Sequence, residues 1–326
     1  MTMTADEIIE RRQTRRRLGF WRVAAFLAIA AFILAAAAAG GAFSAFSEKS
    51  RQHIARVKIE GFISDDRKML ELLAELGKKD QVKAVILDIA SPGGSTIGGE
   101  AMYEAVRELS AGKPVVASVG TLAASAAYMI ACASDQIVAR HSSIVGSIGV
   151  LFQYGDVSAM LDKLGVKVDA IKSAPLKAEP SPFHPATEEA KQMIGRIVTD
   201  SYDWFVDLVS ERRKLGRART LQLADGSIFT GSQGLANGLV DRLGGEAAAK
   251  AWLVEAKSID KDLRIVEWKP KNDDSGLFGT PAGAAELVRL LGNPVDALQS
   301  PQLRGFISRR LFLDGLMSVM QGSLGM

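Results

Sequence analysis

The sequence has one cysteine and three histidines in 326 residues, and both scarcities exclude chemistry. A lone Cys132 cannot form an internal disulfide, so stability rests on packing, and within its alanine-rich run it reads as a small buried hydrophobe. His53 lies beside a polar linker, His141 ends a strand pattern, and His184 sits in the proline-flanked loop PFHPA. None of the three stands in a pattern that marks a histidine base. There is no Walker motif and no metal-ligand cluster, so no metal, nucleotide or other cofactor is expected. Excess charge is also missing from the body. Residues 1–22 hold six arginines against Asp6, Glu7 and Glu10, which accounts for the whole +3 of the chain. A nucleic-acid binder would spread basic charge over its folded domain, so no nucleic acid is expected as a partner.

What is present at the front is a basic leader followed by Val23–Phe46, VAAFLAIAAFILAAAAAGGAFSAF, a run without a charged side chain. It exceeds the about 20 apolar residues that cross a bilayer, and it is too long for the h-region of a cleaved signal peptide or for an ordinary core helix. Basic residues stay on the cytoplasmic side. The expected layout is therefore a cytoplasmic leader over 1–22, a single transmembrane signal anchor over 23–46, and an exported body on the extracytoplasmic face of a bacterial inner membrane.

After the linker SEKSRQ, strand and helix patterns alternate, which predicts an α/β layered domain. HIARVKIEGFI, VKAVILDIA, KPVVASVG, DQIVAR and VKVDAIKS read as largely parallel buried strands. IGGEAMYEAVRELSAGK reads as an amphipathic helix that stops at Gly112, with Ile97, Met102, Val106 and Leu109 on one face. The longest helix is predicted to run from an N-cap at Thr187 to about Leu215, with a core stripe that includes Ile194, Ile197, Phe205 and Val209. From about Lys269 a loop leads into the helical patches AAELVRLLG and FISRRLFLDGLMSVM. The patches of this tail, 269–326, can pack on their own domain, on a sister subunit in oligomerisation, or on the membrane surface.

Two turns invite chemistry. IASPGGST, residues 89–96, joins a buried strand to a helix, and its two glycines let backbone N–H groups approach a ligand beside a positive helix terminus. GTLAASAAYMIACA, residues 120–133, carries a single hydroxyl on its alanine-rich part, Ser125, where a strand enters a helix. Such a serine is either a packing residue or the nucleophile of an elbow. Without a histidine base, a lysine whose pKa is lowered by burial is the alternative, and IKSAPLKAEPSPF offers Lys172 and Lys177.

The order SPGG, GTLAASAAY, VGSIGV, KSAPLKAEPSPF, ADGSIFTG and GLVDRLGG resembles the S49 family of signal peptide peptidases in their short, single-repeat form, over residues 53–257. The resemblance implies a Clp protease/crotonase-like fold of repeated strand-strand-helix units, a peptidase domain over 47–268, and a Ser/Lys dyad. Ser125 would be the nucleophile, Lys177 the general base, Gly94 and the N–H of Ala126 the oxyanion hole, and Ser147 the residue that orients the lysine. It further implies homo-oligomers in which a neighbouring subunit can supply the lysine, and peptide substrates, above all cleaved signal peptides. Ala174 and Ala178 stand where relatives often have Gly and Asp. Two other readings use the same fold: a scaffold that organises membrane partners without needing catalysis, and acyl-CoA chemistry, which an exported location disfavours.

Overall fold

The computed structural model describes residues 19–28, 49–270 and the backbone of 317–319. Contacts divide the chain into two units, 1–53 and 54–326. In the first unit residues 19–28 form a helix with Phe20, Trp21, Phe26 and Leu27 exposed. The rest of the expected anchor, 29–46, lies outside the described residues, and among these no helix is long and apolar enough to cross a membrane.

The second unit is a mixed sheet with helices packed on it. Its strands are β1 (His53–Ile63, whose first residue belongs to the first unit), β2 (Val82–Ser95), β3 (Val115–Ala124), β4 (Gln136–Ala139), β5 (Ile144–Gly146), β6 (Ile228–Thr230), β7 (Arg242–Leu243), β8 (Ile265–Trp268) and β9 (Met317–Val319). They run in the order β6-β5-β3-β2-β1-β8, with β4 also on β3, β7 on β4 and β9 on β2. The β2–β3, β3–β4, β3–β5 and β1–β8 pairs are parallel, whereas β5–β6 and β2–β9 are antiparallel. The near-continuous apolar runs of β2 and β3 follow from this placement, because central parallel strands are covered on both faces.

Strand β3 changes neighbour along its length. Val116–Val119 pair with β4 and Leu122–Ala124 pair with β5, which carries the strand past Gly120, where the sequence suggests a turn. Helix Ala126–Ala133 follows at once and is buried at every residue. Its small side chains permit close packing: a Cβ on Gly99, in helix Thr96–Gly112, would sit 3.0 Å from both Ala126 Cβ and Met129 Sδ. Arginines hold its C-terminal end. Arg212 donates to the carbonyls of Cys132 at 2.8 Å and Ser134 at 3.1 Å, and Arg107 donates to Ala133. These are groups a helix end leaves unpaired. Cys132 is a buried apolar filler, as expected, and burial pushes its thiol up to about 11.

Helix Glu188–Arg213 begins at a Thr187 cap that accepts from Ala190 N. Apart from Ala190 in its first turn, its buried residues lie in the second half: Phe205 and Val209 are buried, whereas Ile197 is exposed. The segment before it, 151–189, contains no buried residue. The expected strand VKVDAIKS lies in this arm and is irregular and exposed. Its alternation of valine with polar residues is a local signal, and among the described residues no strand pairs with it. Within the expected helical tail, 317–319 is a strand, and the remainder lies outside the described residues.

Tyr128 anchors the central helix, its buried hydroxyl donating to Leu239 O at 2.8 Å. Tyr128→Phe should cost about 1–3 kcal/mol, because it strands a buried carbonyl. A lowered urea midpoint at constant slope is the expected result, and an unchanged midpoint would deny the bond that weight.

Candidate active site

The site forms where β2 and β3 leave the sheet at the same end. Ser91 pairs with Ala123 across these strands, after a shift of register that follows Ile89. Gly94 lies three residues beyond Ser91 and Ser125 two beyond Ala123, so both emerge on neighbouring strands.

Ser125 is 1% exposed and adopts φ 57°, ψ −120°, a conformation that costs a non-glycine residue about 1–3 kcal/mol. Its surroundings leave no alternative. Its N–H donates to Gly146 O at 2.8 Å, and its carbonyl accepts from Met129 N at 3.0 Å as the first bond of helix Ala126–Ala133. The hydroxyl is not spent on capping that helix. Ala126 is the first helical residue, and N–H groups in a first turn have no intrahelical acceptor.

Gly94 is required by close backbone approach, since a Cβ there would lie 1.8 Å from Ile63 O. The turn is held on both sides. Ser91 Oγ donates to Gly61 O at 2.6 Å and accepts from Gly93 N at 3.1 Å, while Ser95 Oγ accepts from Gly98 N at 3.1 Å and so caps helix Thr96–Gly112. Backbone N–H groups at such a turn, beside a helix start, suit an anion or a developing oxyanion.

Ser147 follows Gly146, the acceptor of the Ser125 N–H, and has φ 51°. Its own N–H donates to Ser227 O at 2.8 Å. Gly94, Ser125, Ala126 and Ser147 are therefore gathered at one end of the sheet. Lys177 stands apart. It is exposed in the arm, in a turn closed by its N–H on Ala174 O at 3.1 Å, and its ammonium makes no hydrogen bond or ion pair among the described residues. The neighbouring Ala178 has φ 59°.

The histidines sit elsewhere in the bonding pattern. His53 Nδ1 faces Arg51 O, His141 is exposed after β4, and His184 lies against Glu179. Two features were invisible in the sequence. One is the strand Met317–Val319, which runs antiparallel to the oxyanion turn with Gly94 opposite Ser318. The other is the burial of Glu179, whose side chain is 5% exposed within an otherwise solvated arm. Neither carries a periodic or compositional signal.

Comparison with known proteins places this geometry. A model of peptidase family S49 matches residues 107–260, and one of Clp protease matches residues 55–145. A relative from Methanocaldococcus jannaschii, provisionally named a protease, is 40% identical over 215 residues, 66% of this chain and 68% of its own. Protease 4 of Haemophilus influenzae is 33% identical over 260 residues, 74% of this chain and 42% of its own. An Enterococcus faecium protein provisionally named signal peptide peptidase SppA is 32% identical over 248 residues, 72% of this chain and 71% of its own. The class is thus a serine peptidase on a Clp protease-like mixed sheet. More particularly, the chain belongs to peptidase family S49.

Gly94→Ala should lower kcat/KM about 100-fold or more while the far-ultraviolet spectrum stays native, the size of effect expected when an oxyanion donor is displaced. Parental activity in this variant would show that the turn need not approach Ile63 so closely.

Proposed function

We propose that the protein is a membrane-anchored endopeptidase with a Ser/Lys dyad, Ser125 and Lys177, that degrades apolar peptides on the extracytoplasmic side. The observation that carries this reading is the strained, buried Ser125 at the start of helix Ala126–Ala133, beside the glycine turn that ends β2. Strain held in place by surrounding bonds is a mark of a working residue.

In this mechanism the neutral Lys177 amine takes the proton of Ser125 Oγ as the oxygen attacks the scissile carbonyl. The N–H groups of Gly94 and Ala126 receive the oxyanion, and the lysine returns the proton to the leaving amine. Water deprotonated by the same amine then attacks the acyl ester and frees Ser125. Ser147 orients the lysine.

Lys177 reaches a serine, on this reading, in a homo-oligomer whose neighbouring copy supplies it. The arm supports this: it holds no buried apolar residue, yet it exposes Met160, Leu164, Val168 and Ile171, and the helix that follows exposes Ile197. Apolar area of this kind favours a protein partner. A peptide substrate suits the edge at Gly93–Ser95, which already accepts an extended segment, Met317–Val319, as an antiparallel strand. Phe62 and Ile97 are exposed on either side of that turn in sequence, and an apolar peptide would cover them. The charge-free run 23–46, entered by a helix with exposed aromatic residues, supports an anchor with the leader inside. The Enterococcus relative bears a signal peptide peptidase name, and signal peptides left in the bilayer are the substrates this location would supply.

Two experiments test the reading. Ser125→Ala and Lys177→Ala should each lose about 1,000-fold or more in kcat. Oligomers refolded from a mixture of the two should regain activity, because an intact Ser125 then meets an intact Lys177 on a neighbour. Variants that remain active alone would remove the dyad and favour a scaffold, and mixtures that stay inactive would remove the shared site. Separately, Ser318→Pro removes a strand N–H and should lower KM for a fluorogenic apolar peptide, since the chain's own strand then competes less for the Gly94 edge. An unchanged KM would mean that peptides bind elsewhere.

A further inference from the structure

The Glu179 side chain is only 5% exposed, and its carboxylate gathers partners from both sides of Lys177. Oε1 accepts a short hydrogen bond from Lys172 Nζ and lies 3.1 Å from His184 Nε2. Oε2 accepts from Ser181 N at 3.1 Å. Lys172 precedes Lys177 in sequence, whereas Ser181 and His184 follow it. The Lys172 contact therefore closes a loop that carries Lys177 near its apex, and the Ser181 and His184 contacts hold the Glu179 side of its foot. The foot is tied in turn to the other limb of the arm, where Val157 N donates to Pro182 O at 2.8 Å. Asp156 stands there too, its carboxylate held low by Ser158 and, to a smaller extent, by the charge of His184.

An exposed lysine has many rotamers, and a base that is displaced or disordered by about 1 Å loses on the order of 100-fold in rate. Closing the loop at its foot removes backbone freedom from the apex. The same pairing settles the charge. A lone carboxylate two residues from a lysine favours the protonated amine, which accepts no proton. Lys172 holds the Glu179 carboxyl below the usual range and balances its charge. A clip of a carboxylate with an ammonium fixes the loop without adding net charge beside the base.

We propose that Glu179 is a positioning residue for the peptidase reaction: with Lys172 and His184 it latches the foot of the loop that presents Lys177. This rests on the reading of Lys177 as the base. Lys172 then belongs to the latch, and its pairing is what separates its role from that of the second lysine in KSAPLKAE.

The test uses the full chain and a fluorogenic apolar peptide, with kcat and KM measured separately beside oligomeric state and melting temperature. Glu179→Ala and Lys172→Ala should each lower kcat about tenfold or more, with KM within about twofold and assembly unchanged. The double variant should lose no more than either single one, because both break one device. Lys172→Arg should recover most of the kcat lost in Lys172→Ala, since a guanidinium reaches the same carboxylate. Parental kcat in Glu179→Ala, additive losses, or losses that follow dissociation of the oligomer would each overturn the latch. Lys177→Ala, run in parallel, separates the two failures. If it is inactive while Glu179→Ala is normal, only the latch falls. If it is active, the base assignment falls and the latch has nothing to position.

Discussion

Strand Val115–Ala124 pairs with Gln136–Ala139 along its first half and with Ile144–Gly146 along its second, and this change of neighbour fixes Ser125. Had the first partner continued, the strand would have run on beside it with ordinary extended angles. Because Ile144–Gly146 takes over, the last paired residue is Ala124, opposite Gly146, and the next N–H is drawn to the Gly146 carbonyl. The chain must then enter a helix at once. A positive φ at Ser125 satisfies both demands, at a cost of about 1–3 kcal/mol.

That cost is offset directly behind the turn. Helix Ala126–Ala133 buries Tyr128, Met129 and Ile130 completely, each worth about 1.5–3 kcal/mol. Arg107 and Arg212 satisfy the carbonyls at its far end. Its first-turn N–H groups, which have no intrahelical acceptor, directly follow Ser125. Alanine is the economical residue for this element. Its small side chain lets Gly99 and helix Thr96–Gly112 approach, and that approach brings the glycine turn of β2 beside Ser125.

How far the sequence could be read follows from the range of each determinant. β1 lies where HIARVKIEGFI places it, and Thr187 caps the long helix, because alternation and capping act over a few residues. Ser125 was legible where a strand enters a helix for the same reason, whereas IASPGGST, which reads as a turn, continues β2 as far as Ser95. By contrast, VKVDAIKS alternates as a strand does but joins no sheet among the described residues, and Ile194–Ile197 continue an apolar stripe beyond the core that covers Phe205 and Val209. The strand at Met317–Val319 depends on a distant edge offered by Gly93–Ser95. Nor does residue type predict the positive φ of Ser147 and Ala178, which ordinarily would suggest glycine or asparagine.

The division between a rigid body and an exposed arm also bears on when such an enzyme works. The body holds Ser125 and the Gly93–Gly94 segment by hydrogen bonds made within one chain. A lysine in water is protonated near neutral pH and takes no proton from a serine; apolar surroundings are what make it a base. Lys177 is exposed on an arm that holds no buried apolar residue. On the proposed reading, the contact that covers Ile171 and Leu164 is then the same contact that dries the lysine and delivers it to a serine. Catalytic competence would be a property of the assembly, and an unassembled chain would carry a formed elbow without a base. On that reading, hydrolysis would be confined to a site enclosed by several copies.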